Sequence, residues 1–358
     1  DFSVGAKNAV YDTQDATTSR WTPSDWSALP PDHQAMAHAL WADVKWNINL
    51  FEHFLEDYWD KDFILYLGLN GVRIGDPTAK PLEPFSIRNA DDCSRSPGWD
   101  VLKKSSADEV ALGRTVAKPA WWPWSDYVHS IFLKDESKPG IVKFREIHNL
   151  SSPKGRSIND EIFYAAYHWV RVDDAAKRVT DSTLFAKIDL TRYYRQFKVD
   201  PADWHKLAFE FDGEQYFDLA MQWGLRNAVE IAHRFTTALV YIFNKNGIEN
   251  VFGTIDDFLF LTEEGNASTA RNFERACELL DLLLGLGCRN VKPGKSQPPG
   301  LSTVYCGAEY TRMGIRIAPD FRAKVMEGLR QAISQRSTSV PEAGTLIGRV
   351  VHAGATVW

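Results

Sequence analysis

Two adjacent carboxylates, Asp256 and Asp257, interrupt the apolar run VFGTIDDFLFL from Val251 to Leu261. The flanks, 251–255 and 258–261, read as two short buried strands, so the doublet forms the tip of a hydrophobic hairpin. Like charges at such a tip repel, and withdrawal from water raises the cost further. A divalent cation relieves both, because Mg²⁺ prefers hard oxygen ligands. Taken alone, the doublet also reads as an ordinary Asp-containing turn. A third carboxylate, Asp189, ends another apolar strand in LFAKIDLTRYYRQFKVD; by itself it reads as a cap on the following turn. If these strands are neighbours in one sheet, the three carboxylates converge. Such a cluster can hold two metal ions about 3.5–4 Å apart, the arrangement that serves phosphoryl transfer.

The elements that must position these residues follow from periodicity. Residues 1–30 are polar and aperiodic and read as an irregular arm. Apolar residues from Met36 to Trp59 recur at helical spacing after Pro30-Pro31-Asp32, giving one amphipathic helix or two in series. A short helix is predicted over 106–114. The segment from Phe132 to Asp160 is basic and punctuated by Pro and Gly. It predicts a hairpin with strands at 128–134 and 141–148 around Lys138-Pro139-Gly140. A helix over 161–178, strands over 184–199 and 206–218, and a helix over 227–246 lead to the aspartate hairpin. After it come a helix over 267–286, paired strands within 302–317, and helices over 320–334 and 343–357.

Composition bounds the function. The 358 residues are 44% hydrophobic and 25% charged, as in a globular protein of two or three domains or one discontinuous one. No stretch approaches the ~18 uninterrupted apolar residues of a membrane span. The four cysteines are scattered without metal-ligand or disulfide spacing, so a reducing intracellular compartment is expected. The chain begins with Asp rather than Met. It is therefore expected to be a processed product, and an organelle reached through a removed targeting segment fits that expectation. The net charge of −6 is unusual for a protein whose main partner is a polyanion. Thirteen tryptophans, clustered as in Trp121-Trp122-Pro123-Trp124, imply a large aromatic core or a protein interface.

With these residues in view, the chain resembles a reverse transcriptase, most closely the DIRS-like retrotransposon enzymes related to gypsy-like elements. The likeness runs through about residues 50–358, with motifs in order. IDLTRYYRQF resembles the first palm motif, making Asp189 a metal ligand and Tyr194 the aromatic that screens the sugar 2′ position. MQWGLRNAVEIAHRF, carrying Trp223 and Gly224, resembles the glycine motif that leads into the palm helix. TIDDFLFL resembles the second metal motif. LGLGCRNVKPGKSQ and VYCGAEY resemble the next two, with Lys295 at the basic position and Tyr305, Cys306 and Gly307 at the primer-gripping hairpin. KFREIHNLSSPKGRSIND resembles the fingers, placing Arg145 and Lys143 at the incoming triphosphate. EVALGR, over 109–114, and TLIGRVVHAG, at the thumb, complete the series.

The resemblance implies an α+β fold of the right-hand polymerase type. It has an antiparallel palm sheet, discontinuous fingers, a truncated thumb and an N-terminal helical extension. The implied division is 1–120 for the arm and extension, 121–183 and 202–228 for the fingers, 184–201 and 229–317 for the palm, and 318–358 for the start of the thumb. The implied activity is RNA-directed DNA synthesis. Asp189, Asp256 and Asp257 would be catalytic around two Mg²⁺ ions. Lys143, Arg145, Tyr194, Trp223, Gly224 and Lys295 would meet the nucleotide. The partners would be a dNTP and an RNA or DNA primer-template.

Some positions depart from the pattern. Thr254 stands where an aromatic precedes the Asp pair, Gln222 and Val229 replace prolines, Trp223 directly precedes the motif glycine, and Glu230 and Arg192 add unexpected charge. These departures and the acidic composition keep a second expectation open. It is a domesticated, inactive fold serving as a structural subunit with protein partners.

Overall fold

A computed structural model describes residues 26–42, 46–75, 83–87, 98–122, 126–137, 142–162, 172–267, 269–292, 294–335 and 338–355. Residues 1–25 of the arm expected over 1–30, the Lys138-Pro139-Gly140 turn and residues 163–171 of the helix expected over 161–178 lie outside these residues. The chain gathers into two compact units. One is drawn from residues 1–167 and 192–234, the other from 168–191 and 235–358.

In chain order the strands are β1 (Phe85–Ser86), β2 (Thr115–Ala117), β3 (Tyr127–His129), β4 (Ile131–Asp135), β5 (Phe144–His148), β6 (Thr183–Asp189) and β7 (Ala208–Phe211). They continue with β8 (Glu214–Asp218), β9 (Val251–Thr254), β10 (Asp257–Glu263), β11 (Gln297–Gly300), β12 (Ser302–Tyr305), β13 (Ala308–Thr311) and β14 (Gly314–Ile317).

The first unit holds a five-stranded sheet in the order β1-β3-β7-β8-β2 and the separate hairpin β4-β5. Phe209 and Phe211 alternate inward along β7 and pack with Ile131 and with Leu102 of the helix Trp99–Ala111. That helix starts seven residues before the expected one. Arg195, nearly buried, forks onto Asp218 and Glu109, with Nη2 2.6 Å from Asp218 and 2.9 Å from Glu109. Arg192 takes the other Glu109 oxygen at 2.8 Å and adopts φ 46°. This network ends the strand expected over 184–199: β6 stops at Asp189, and a 3-10 turn over Tyr193–Gln196 follows. Helices Pro31–Ala42 and Ile48–Phe54 realise the pair in series, and Lys61–Asn70 is a further helix that periodicity missed.

In the second unit the antiparallel sheet β11-β6-β10-β9 lies beside the meander β12-β13-β14. Phe185, Phe252, Leu259 and Leu261 form one core with Tyr305, Ala308, Tyr310 and Ile315. The run FLFL is buried at every position, which marks a strand covered on both faces. The long helix Ala228–Lys245 supplies Leu239, Ile242 and Phe243 to the interior of this unit. A Cβ on Gly253 would stand 2.6 Å from Thr236 and 2.9 Å from Val240, so only glycine lets β9 approach that helix so closely. The final helices are Pro319–Gln335 and Val340–Ala355, and no helix among the described residues is long and apolar enough to cross a membrane.

Candidate active site

The aspartate site is built by strand register. β10 pairs antiparallel with β6 so that Asp257 stands opposite Asp189, and β9 pairs with β10 so that Thr254 faces Asp257. Sequence periodicity put Asp257 in the hairpin turn; in the structure it is the first residue of β10. Beyond β6, the Leu190 amide donates to the Asp256 carbonyl at 2.8 Å. All three carboxylates therefore reach the same end of one sheet.

Asp189 is nearly buried, and both its carboxylate oxygens are engaged. Asn290 Nδ2 donates to Oδ1 at 2.8 Å and Lys295 Nζ contacts Oδ2 at 2.9 Å. Its amide donates to Ser296 Oγ at 3.2 Å, and its carbonyl accepts from the Asn290 amide at 2.7 Å. The ion pair with Asp189 raises the Lys295 ammonium above its ordinary value. Burial raises the Asp256 carboxyl, with the Asp189 charge adding to the effect. Burial and then the Asp256 charge push Asp257 up to about 7. The Oδ1 atom of Asp257 is buried without a hydrogen-bond partner.

This donor set suits a hard divalent cation: three carboxylates at one sheet end, two of them raised by burial, and one orphaned buried oxygen. As placed, no three acidic, His or Cys side chains among the described residues converge closely enough to share one ion. An ion at Asp189 would have to take Oδ2 from Lys295.

The remaining expected residues fall into two groups. Within the first unit, Tyr194 is buried against Trp223 with ring centroids 4.5 Å apart, and the Arg145 guanidinium lies 5.0 Å from the Trp223 ring. Trp223 itself is 56% exposed; Trp59 and Trp121 are exposed as well, whereas Trp122 and Trp204 are buried in the core. Lys143 and Arg145 both pair with Glu136, at 2.9 and 3.1 Å. Gly224 packs its backbone against β5: a Cβ would stand 2.4 Å from the His148 carbonyl oxygen. In the second unit, Tyr305, Cys306 and Gly307 form the β12–β13 turn, with Cys306 at φ 48° and Gly307 at φ 77°. Burial pushes the Cys306 thiol up to about 11.

Sequence reasoning missed Asn290, Ser296 and Thr236. Asn290 and Ser296 lie within the quoted motif around Lys295, but nothing in their type marks them as partners of a residue about a hundred positions earlier. Thr236 Oγ1 donates to the Ile255 carbonyl from the helix behind the hairpin. No periodicity signals such a contact.

No family model matches the chain, and no curated protein matches it. Solved structures do. A foamy viral protease-reverse transcriptase in complex with double-stranded DNA is 16% identical with TM-score 0.54, over 92% of this chain and 53% of that one. A second such DNA complex aligns with TM-score 0.53 at 16% identity, over 89% of this chain and 62% of that one. A complex with an RNA/DNA hybrid aligns with TM-score 0.55 at 16% identity, over 89% and 40%. The chain thus spans less than two thirds of the length of each of these proteins. At this identity the likeness shows the fold: the chain is a mixed α/β protein with a reverse transcriptase-like fold.

Proposed function

We propose that the chain is the polymerase part of a DIRS-like, gypsy-related reverse transcriptase, joining a dNTP to a primer 3′-hydroxyl on an RNA template. The observation that carries this reading is the β6–β10 register, which sets Asp189 opposite Asp257 with Asp256 beside it. Asp189 and Asp256 would hold two Mg²⁺ ions, with Asp257 supporting them. Such ions, when bound, activate the attacking oxygen and neutralise the departing one. Asp189 would exchange Lys295 for an ion, which frees the lysine to face nucleotide phosphate.

Arg145 and Lys143 are the proposed contacts for the leaving phosphates. Their contacts with Glu136 are partly solvated, and a guanidinium fork binds phosphate oxygens well. Tyr194, Trp223 and Gly224 are the proposed contacts for the sugar and base. The turn Tyr305-Cys306-Gly307 is the proposed primer contact. On this reading 184–201 and 229–317 are palm, 121–183 and 202–228 fingers, and 318–358 the start of the thumb.

A second reading has its own supporting observations. Asp189 already has both oxygens engaged, and Arg145 already sits between Glu136 and the Trp223 ring. Side chains that satisfy one another in this way suit an inactive fold kept as a structural subunit with protein partners. Primer extension on an RNA template with Mg²⁺ or Mn²⁺ separates the two. The polymerase reading expects extension, and Asp256→Asn is expected to reduce it by at least about 10³-fold while leaving thermal unfolding intact. An inert parent chain, or an equally active variant, sinks it.

A further inference from the structure

The β9–β10 turn that carries Asp256 holds a backbone its residues do not prefer. Ile255 sits at φ 53°, in the left-handed region where a β-branched side chain is strained. Hydroxyl groups brace this turn from two sides. Thr236, buried on the helix Ala228–Lys245, donates to the Ile255 carbonyl. From the other side the Tyr305 hydroxyl donates to Thr254 Oγ1 at 2.8 Å and lies 3.2 Å from the Phe252 carbonyl oxygen. Tyr305 is buried, and burial holds its phenol far above the ordinary value, so it stays a donor.

Thr254 stands directly across the ladder from Asp257. Its partner leads into Cys306, whose carbonyl oxygen lies 2.7 Å from His352 Nε2 on the helix Val340–Ala355. One path of short contacts therefore joins that helix, the β12–β13 turn and the aspartate hairpin, all within the second unit. Thr254 is also the position where the resemblance expects an aromatic ring. Here the ring enters from the neighbouring sheet instead, as Tyr305.

We propose that Thr254 and Tyr305 act as a positioning pair for Asp256 and Asp257, a role that rests on the metal-binding reading above. The hydroxyl contact fixes the strained turn and with it the directions of the two carboxylates. Neither residue touches the reacting atoms.

The test uses the full chain with Thr254→Val, Tyr305→Phe, their combination and Thr254→Ser. Mn²⁺ affinity, read by electron paramagnetic resonance, and amide exchange of the segment 251–261 are the two readouts. Thr254→Val and Tyr305→Phe are each expected to weaken Mn²⁺ binding about 10-fold, as loss of a group that orients a ligand does. The double variant is expected to be no weaker than either single one, because both remove the same contact. Thr254→Ser, which keeps the hydroxyl, is expected to stay within about 2-fold of the parent. Amides 254–258 should exchange faster in Thr254→Val and Tyr305→Phe and at the parental rate in Thr254→Ser.

Parental affinity and exchange in the two hydroxyl-deleted variants overturn the proposal, as does full additivity. A parent chain that binds no Mn²⁺ overturns the metal reading instead. In that chain, faster exchange in the two variants still supports the pair as a brace of the turn, and unchanged exchange refutes it.

Discussion

In the unit drawn from 1–167 and 192–234, three largely buried arginines each meet two carboxylates; in the other unit, three aspartates reach one sheet end and a lysine pairs with Asp189 alone among them. Arg195 binds Glu109 and Asp218, Arg73 binds Asp203 and Asp200, and Arg234 binds Asp60 and Glu230. Among the described residues, Asp189 is the one carboxylate of the aspartate site with an ion-pair partner, while Asp256 is raised by burial and by the Asp189 charge, and Asp257 by burial and by the Asp256 charge. Matched burial of charge builds structure, whereas unmatched burial costs stability and is retained where a site needs it. On the proposed polymerase reading, the difference separates charged residues that hold the fold from those that would meet a ligand.

The comparison can be broken most sharply at Arg195. Arg195→Met leaves Glu109 and Asp218 buried without their cation and is expected to lose about 3–5 kcal/mol in urea unfolding. A loss under about 1 kcal/mol would mean that this network is not the scaffold it resembles.

Acidification probes the same unit through its histidines. Burial lowers His33 and His205 to about 4 and holds the fully buried His129 well below the ordinary value. A base with a depressed folded value takes up its proton more readily when unfolded. Stability is therefore complete above about 6.5 and falls as pH drops from there toward 4. The urea midpoint should decline between pH 7 and pH 5, and His129→Phe should flatten that decline. An unchanged slope in the variant would remove His129 from the account.

The opposite sign is expected in the aspartate site. Asp257→Asn relieves a buried like-charge contact and should stabilise the chain at pH 8 by about 1 kcal/mol in buffer free of divalent ions. A destabilised variant would put Asp257 with the structural carboxylates of the first unit and erase the contrast.

Much of this was legible in the residues themselves. The apolar flanks of the Asp doublet required a buried hairpin, and β9 and β10 are that hairpin. The helical period over 227–246 anticipated Ala228–Lys245 almost to the residue, since its apolar stripe is long and uninterrupted. Boundaries failed where distant partners set them. β6 ends at Asp189 because Leu190 and Thr191 turn to bond Asp256 and Cys288, and Arg192 turns toward Glu109. Those partners are dozens of positions away and carry no local signal. Trp223 and Glu230 were visible as departures from the resemblance, but only contacts gave them roles: a ring tilted against Tyr194, and a carboxylate 3.7 Å from Arg234.

The sequence by itself determined which residues could do chemistry. Three carboxylates at the ends of apolar strands marked the candidates, and the motifs around them, taken in order, resemble those of a polymerase palm. Tertiary structure alone decided their environment. Register put Asp189 across from Asp257, and a loop about a hundred residues on brought Asn290 and Lys295 to Asp189. A second sheet delivered the Tyr305 hydroxyl to Thr254. Residue type and spacing set what a side chain can donate or accept, but strand pairing and packing choose which distant group it meets.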